Sequence, residues 1–345
     1  MSIGSGSLSP PFALPPPAPA ETRGPAWPLW AVYAASVVTG FLILVGSAGA
    51  AFAQAPAVAA VSVVLFGAFG AFWVWLLNKI PYSRPIDRDT KVLAALWGAC
   101  AAIGFALLAN IAIYEHLADR EDAPAWSMFA PFTEEPIKNL GIVVVLLLAA
   151  TRPRTALDGL VVGSFVGLGF EVVENVVQSV NNALAAAPPD RWPSLATDVI
   201  AEVLRRSWTG HIIITGIAGF GIAYAMTARH RSTLQRWAVG TALVLLALAG
   251  HLLWNSHRFG VFYVLGQFGT LAFYLWLIRR GRALESALYQ PYLSYAAPSL
   301  LAAGADSVGK NARQRKRTLA RLATAIANGD PGRAHEYAEK LGRPG

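Results

Sequence analysis

Charge is what this sequence has least of. Charged residues make up 14% of it and hydrophobic ones 55%, whereas a soluble domain carries about 25% charged residues. A water-soluble surface cannot be built from that composition. Cysteine is nearly absent as well. The single Cys100 lies inside an apolar run, which excludes a disulfide within a monomer and a cysteine-based zinc site, so any metal must be held by His and carboxylate. There is no HExxH segment and no internal repeat. Residues 1–26 are rich in Pro and Ser, with Arg23 as their one basic residue. They lack the layout of a cleavable signal and read as a disordered cytoplasmic tail.

What the chain does have is apolar runs of about twenty residues, the length needed to cross the hydrocarbon core of a bilayer. Eight spans are predicted, near 27–51, 57–78, 92–114, 128–150, 159–182, 208–228, 237–256 and 260–279. The expected fold is therefore all-α, a polytopic transmembrane helix bundle. Lys79, Arg84, Arg88 and Lys91 lie between the second and third spans, Arg152 and Arg154 after the fourth, Arg229, Arg231 and Arg236 after the sixth, and Arg279, Arg280 and Arg282 after the last. The alternate linkers are uncharged, mainly acidic or nearly balanced. The positive-inside rule then sets both termini in the cytoplasm.

The expected organisation is a tail at 1–26, a membrane domain at 27–279 and a basic cytoplasmic tail at 280–345. In the last, Lys310, Arg313, Arg315, Lys316, Arg317 and Arg321 crowd one segment. Anionic lipid is its expected partner, since each such residue near a charged surface contributes about 1 kcal/mol. Nucleic acid is not expected, because no recognised fold or aromatic stacking pattern accompanies the basic residues.

An ionisable group inside a span costs on the order of 2.5–3.5 kcal/mol on insertion scales, so each one needs a reason to be there. Four clusters occur: Thr133-Glu134-Glu135-Pro136-Ile137-Lys138 in the fourth span, Phe170-Glu171 with Glu174-Asn175 in the fifth, Trp208-Thr209-Gly210-His211 in the sixth, and His251 with Asn255 in the seventh. The spacings Glu134 to Lys138, Glu171 to Glu174 and His251 to Asn255 each put a pair on one helix face. Alternate spans run in opposite directions at about 1.5 Å per residue, which brings all four clusters to the extracytoplasmic half. Pro136 suits a first helical turn and Thr133 a cap, so a helix is expected to begin close to the glutamates. Two adjacent carboxylates in a half-dry cavity repel each other, which suits one of them to general acid or base work, with Lys138 as a counter-ion.

Over residues 128–256 this combination resembles the PrsW family of intramembrane proteases, distantly related to the CAAX-prenyl endopeptidases. The resemblance rests on EExxK at Glu134, Glu135 and Lys138, FExxEN at Phe170, Glu171, Glu174 and Asn175, and His211 with the His251-xxx-Asn255 pair. It implies a multi-pass protein of the cell membrane, in a bacterium the plasma membrane. Its substrate would be a membrane-tethered protein, in some bacterial members an anti-sigma factor cut on the extracytoplasmic side.

The resemblance further implies that Glu134 or Glu135 activates the attacking water, with Glu134 preferred for its i,i+4 relation to Lys138, and that the second Glu positions water or shuttles a proton. His211, His251 and Asn255 would hold a metal or donate hydrogen bonds to the oxyanion. If the enzyme uses zinc, the ligands are expected to be His211, His251 and Glu174, or Glu171 in its place. Metal-free glutamic chemistry is the preferred expectation.

The rival reading is a proton-coupled membrane transporter that uses the same Glu/His cluster, against which stands the lack of symmetry between the halves. With only His211 and His251 inside spans, a His-rich di-iron site is excluded. Gly163, Gly167 and Gly169 are expected to let helices pack closely. The Pro-containing linker 183–207 carries no clear pattern.

Overall fold

The computed structural model describes residues 27–80, 86–117, 128–148, 155–186, 191–201, 210–229, 231–256 and 261–304, with Thr318, Arg321 and Tyr337 singly. For Phe262 and residues 285–304 only the backbone is described. The expected tail at 1–26, the residues Trp208 and Thr209, and most of the basic tail lie outside this set. Among the described residues all regular structure is helical.

Helix α1 (Trp27–Gln54) is followed by α2 (Pro56–Leu77) after the single residue Ala55. The third span is one continuous helical rod made of α3 (Arg88–Leu96), a π-helical turn (Trp97–Ala102) and α4 (Ile103–Leu117). Then come α5 (Ala130–Leu148), α6 (Ala156–Ala185), α7 (Arg191–Ala201), α8 (His211–Thr227), α9 (Thr233–Asn255) and α10 (Val261–Gly304). Five elements are long and apolar enough to cross a membrane: α1, α2, the rod Arg88–Leu117, α6 and α9. The protein is a multi-pass membrane protein.

Each predicted span overlaps a helix, with three differences that have local causes. Helix α5 starts at Ala130 rather than at Thr133, so Pro136 falls inside the helix. There it leaves the Phe132 carbonyl without its usual i+4 amide partner. The Thr133 hydroxyl, instead of capping, bonds back to the Ala130 carbonyl at 2.8 Å. Helix α10 runs past residue 279 to Gly304, because Ala, Leu and Glu after Arg282 favour helix. The 183–207 linker contains α7, which the sequence reading did not anticipate.

The centre of the compact unit 29–294 is α6. Its glycines make that position available: a Cβ at Gly163 would meet the Thr215 carbonyl oxygen, and one at Gly167 the His211 carbonyl oxygen, both on α8. On another side, Gly169 lies against the Ala95 carbonyl, and Gly98 of the π-helical turn lies against the backbone of Val166 and Phe170. Small residues let backbones approach where no hydrophobic driving force separates helix from lipid. This close packing puts the middle of α6 beside the first residue of α8.

Candidate active site

Five side chains with ionisable groups meet at one place in the bundle. Helix α5 brings Glu134, Glu135 and Lys138, α8 opens with His211, and α9 brings His251 near its C-terminal end. All five are buried, and Lys138 is entirely so. The Lys138 ammonium lies 2.6 Å from Glu135 Oε1 and 3.4 Å from Glu134 Oε2. It also lies 2.9 Å from His211 Nδ1 and 4.3 Å from the centroid of the Phe170 ring. One cation thus compensates two neighbouring carboxylates that would otherwise repel each other.

The partners assign the imidazole tautomers. A lysine ammonium only donates, so His211 Nδ1 accepts and its proton sits on Nε2, which lies 2.8 Å from Glu174 Oε2. His251 Nδ1 is 2.8 Å from Glu135 Oε1, a carboxylate that only accepts, so the proton of this ring sits on Nδ1. His251 Nε2 then faces Glu134 Oε2 at 3.8 Å, too far for a hydrogen bond. The two rings stand edge to face, 4.8 Å between centroids.

Helix α6 builds the frame of His211. Glu171 accepts a hydrogen bond from the Ile212 amide at 3.0 Å, placing a carboxylate at the positive end of α8, where the first amides of a helix lack intrahelical partners. Gly210 leaves space for it, since a Cβ there would push the Glu171 carboxylate aside. Phe170 packs edge to face on the His211 ring at 4.7 Å. Three residues of the FExxEN segment therefore act on one histidine. Asn175 is buried next to them. Asn255, the last residue of α9, follows one turn after His251 and is only half-buried.

Two contributors went unremarked in the sequence. Asn110 of α4 donates to Glu134 Oε1 at 3.4 Å, and its Oδ1 lies 2.6 Å from the Thr133 hydroxyl, which shares its one proton between this oxygen and the Ala130 carbonyl. A polar residue inside an apolar run was the signal that could have found it. The Trp97 indole donates to the Ile137 carbonyl at 3.0 Å, holding α5 one residue before Lys138. It had no such signal, because the π-helical turn that aims the ring is not written in the hydropathy.

Glu134, His211 and His251 each offer a ligand atom, and these atoms lie within 4.8 Å of one another. Three buried N/O donors are the number a catalytic zinc takes from protein, its fourth position being left to water. The nitrogen of each ring turned away from that set is held by a carboxylate, Glu174 or Glu135, as metal-bound histidines require. The donor set fits a divalent ion. The carboxylate in this group is Glu134, where the sequence leads one to expect Glu174 or Glu171. Those two are engaged elsewhere, Glu174 on the opposite nitrogen of His211 and Glu171 on the α8 backbone. Loading an ion on His211 Nδ1 requires Lys138 to release that nitrogen, while its shorter contact with Glu135 can persist.

The sequence model of the PrsW family intramembrane metalloproteases matches residues 88–278, more than half of the chain. The match starts at α3 and so includes the π-helical turn and Asn110. No match was found among curated proteins or among solved structures.

Proposed function

The chain belongs to the PrsW family of intramembrane metalloproteases, and from that premise we propose that it cuts membrane-tethered proteins with Glu134, His211 and His251 as ion ligands and Glu135 as general base. The observation that carries this reading is the buried Glu134–His211–His251 group, in which each imidazole is backed by a carboxylate. It supports ion-dependent chemistry over the metal-free chemistry expected from the sequence. A divalent ion held there would polarise the scissile carbonyl and ease deprotonation of water.

The protein's own groups divide the remaining work. Glu135 Oε1 is committed to Lys138 and His251, whereas Glu135 Oε2 is buried with no hydrogen-bond partner among the described residues. That oxygen takes the proton from the attacking water and returns it to the leaving amine. Because Glu134 belongs to the ligand group, the base moves from Glu134, the residue preferred on sequence, to its neighbour. Lys138 holds the two carboxylates together, Glu174 fixes the His211 ring, and Glu171 fixes the turn that carries it. Asn255 remains the candidate for oxyanion contact, since the one N–H of His251 is given to Glu135.

By the distribution of basic loops, both termini lie in the cytoplasm and the site in the outer half of the membrane; the family resemblance implies a bacterial plasma membrane. A single-span protein of the anti-sigma-factor kind is the substrate class this depth suits. The basic residues at 310–321 would rest on anionic lipid.

The test is cleavage of single-span reporters by detergent-purified protein. Glu135→Gln should lower turnover by about 10²–10⁴-fold, and a chelator should abolish wild-type cleavage until zinc is restored. Full activity in Glu135→Gln would remove the base assignment, and chelator-resistant cleavage would remove the ion.

A further inference from the structure

Helix α7 (Arg191–Ala201) joins the helix that carries Glu171 and Glu174 to the one that begins at His211. Its packing locates it relative to the spans. Leu195, 2% exposed, sits in an apolar cluster with Ala55, Val58 and Ala59 from the N-terminal end of α2 and with Val180 and Ala183 from the C-terminal end of α6. Asn182, in the last turn of α6, donates to the Asp198 carboxylate at 3.2 Å. Both neighbours are membrane-crossing helices, and α7 touches each at an end, not at its middle. Span ends mark the boundary between hydrocarbon and headgroups.

The residues of α7 are sorted around its axis to match that position. At about 100° per residue, Leu195, Val199, Trp192, Ala196 and Ile200 fall on one arc, and Pro193, Ser194 and Thr197 fall on the other. Only one flank of the apolar arc is covered by protein: Leu195 is buried, while Trp192 is 50% and Ile200 57% exposed. A wholly protein-covered helix would bury both flanks, and a solvated one would not put Trp and Ile outward. Outward apolar residues are also what the membrane-crossing neighbour α2 presents, with Val61, Val63 and Val64 exposed.

We propose that α7 is an interfacial helix whose Trp192–Ile200 flank inserts into the headgroup–acyl boundary of the bilayer. Tryptophan is enriched at that depth because its ring is apolar and its N–H polar, and an amphipathic helix buries its apolar face about 5–10 Å into this layer. The polar arc with Ser194 and Thr197 faces water. Anchored to lipid on one flank and to α2 and α6 on the other, α7 is the last described element before the helix of His211. It holds one end of that connection at a fixed depth.

The experiment uses full-length protein with Cys100→Ser, reconstituted in phosphatidylcholine/phosphatidylglycerol vesicles, with single nitroxide labels at 192, 196, 200, 194 and 197. Power-saturation spectroscopy compares collision with oxygen, which concentrates in lipid, with collision with a water-soluble nickel chelate. Labels at 192, 196 and 200 should lose nickel collision and gain oxygen collision, and labels at 194 and 197 should do the reverse. Ala196 and Thr197 are both exposed and adjacent, so opposite results at these two positions need no disruption of the fold. Equal water exposure at all five positions, or equal exclusion from water at all five, would overturn the proposal.

Discussion

Helices α1 and α6 both qualify as membrane spans by length and composition, and α1 is the more hydrophobic of the two. Yet 83% of the apolar window of α6 is buried inside the bundle, against 11% for α1. The ordering is the reverse of what holds in water, where the most apolar helix goes to the core. In a bilayer the lipid is as apolar as leucine, so hydrophobicity drives insertion and does not sort inside from outside. Sorting is left to close backbone approach and to polar groups that must leave the hydrocarbon. Helix α6 has both, in Gly163 and Gly167 against α8 and in Glu171, Glu174 and Asn175. Helix α1 makes one such approach, at Gly40, where a Cβ would meet the Cys100 carbonyl, but it carries no charged group, and a Cβ at its Gly46 or Gly49 would meet nothing within 4 Å.

The sharpest way to break that contrast is at the charge cluster which α6 helps enclose. Lys138→Met leaves Glu134 and Glu135 buried side by side without their cation, and removal of one partner from a buried ion pair costs about 3–5 kcal/mol. Helix-bundle unfolding in mild detergent, followed by circular dichroism against SDS fraction, should show a loss of that size. Unchanged unfolding would mean that the carboxylates are compensated in some other way.

The next largest effect is expected at the close approach itself. Gly163→Leu drives a side chain into the α8 backbone, where overpacking costs about 1–3 kcal/mol and occasionally more. The same unfolding assay, together with reporter cleavage, should register both lost stability and lost activity, since the displaced helix carries His211. Wild-type behaviour would show that α6 and α8 can separate without consequence.

The smallest effect sharpens the comparison from the other side. Gly46→Leu in α1 adds an apolar side chain where only lipid is met, and stability should stay within about 0.5 kcal/mol. A loss comparable to that of Gly163→Leu would mean that the Gly46 face of α1 is packed as its Gly40 face is.

Legibility followed the same line. The apolar runs of α1, α2 and α9 were readable because bilayer thickness dictates their length. The residues that meet at the site were readable as candidates because an ionisable group in a span is costly wherever it lies. The start of α5 is not legible, since Thr133 and Pro136 form a plausible cap and first turn in isolation, whereas the helix begins at Ala130 with the Thr133 hydroxyl turned to Ala130 and Asn110. Helix α7 was invisible because Pro188, Pro189 and Pro193 read as a linker, while its order depends on Leu195 finding a pocket built by α2 and α6.

By itself, the sequence determined that this is a helical membrane protein with Glu, Lys and His confined to a few spans, because hydropathy and insertion cost are properties of each segment alone. Only the tertiary structure decided which carboxylate faces which ring. Glu174 and Glu135 back the two imidazoles, Glu134 stands within reach of both rings, and Glu171 holds the end of a helix. Those roles depend on distances between side chains far apart in the chain, such as Glu135 and His251, and it is the packing of α5, α6, α8 and α9 that sets them.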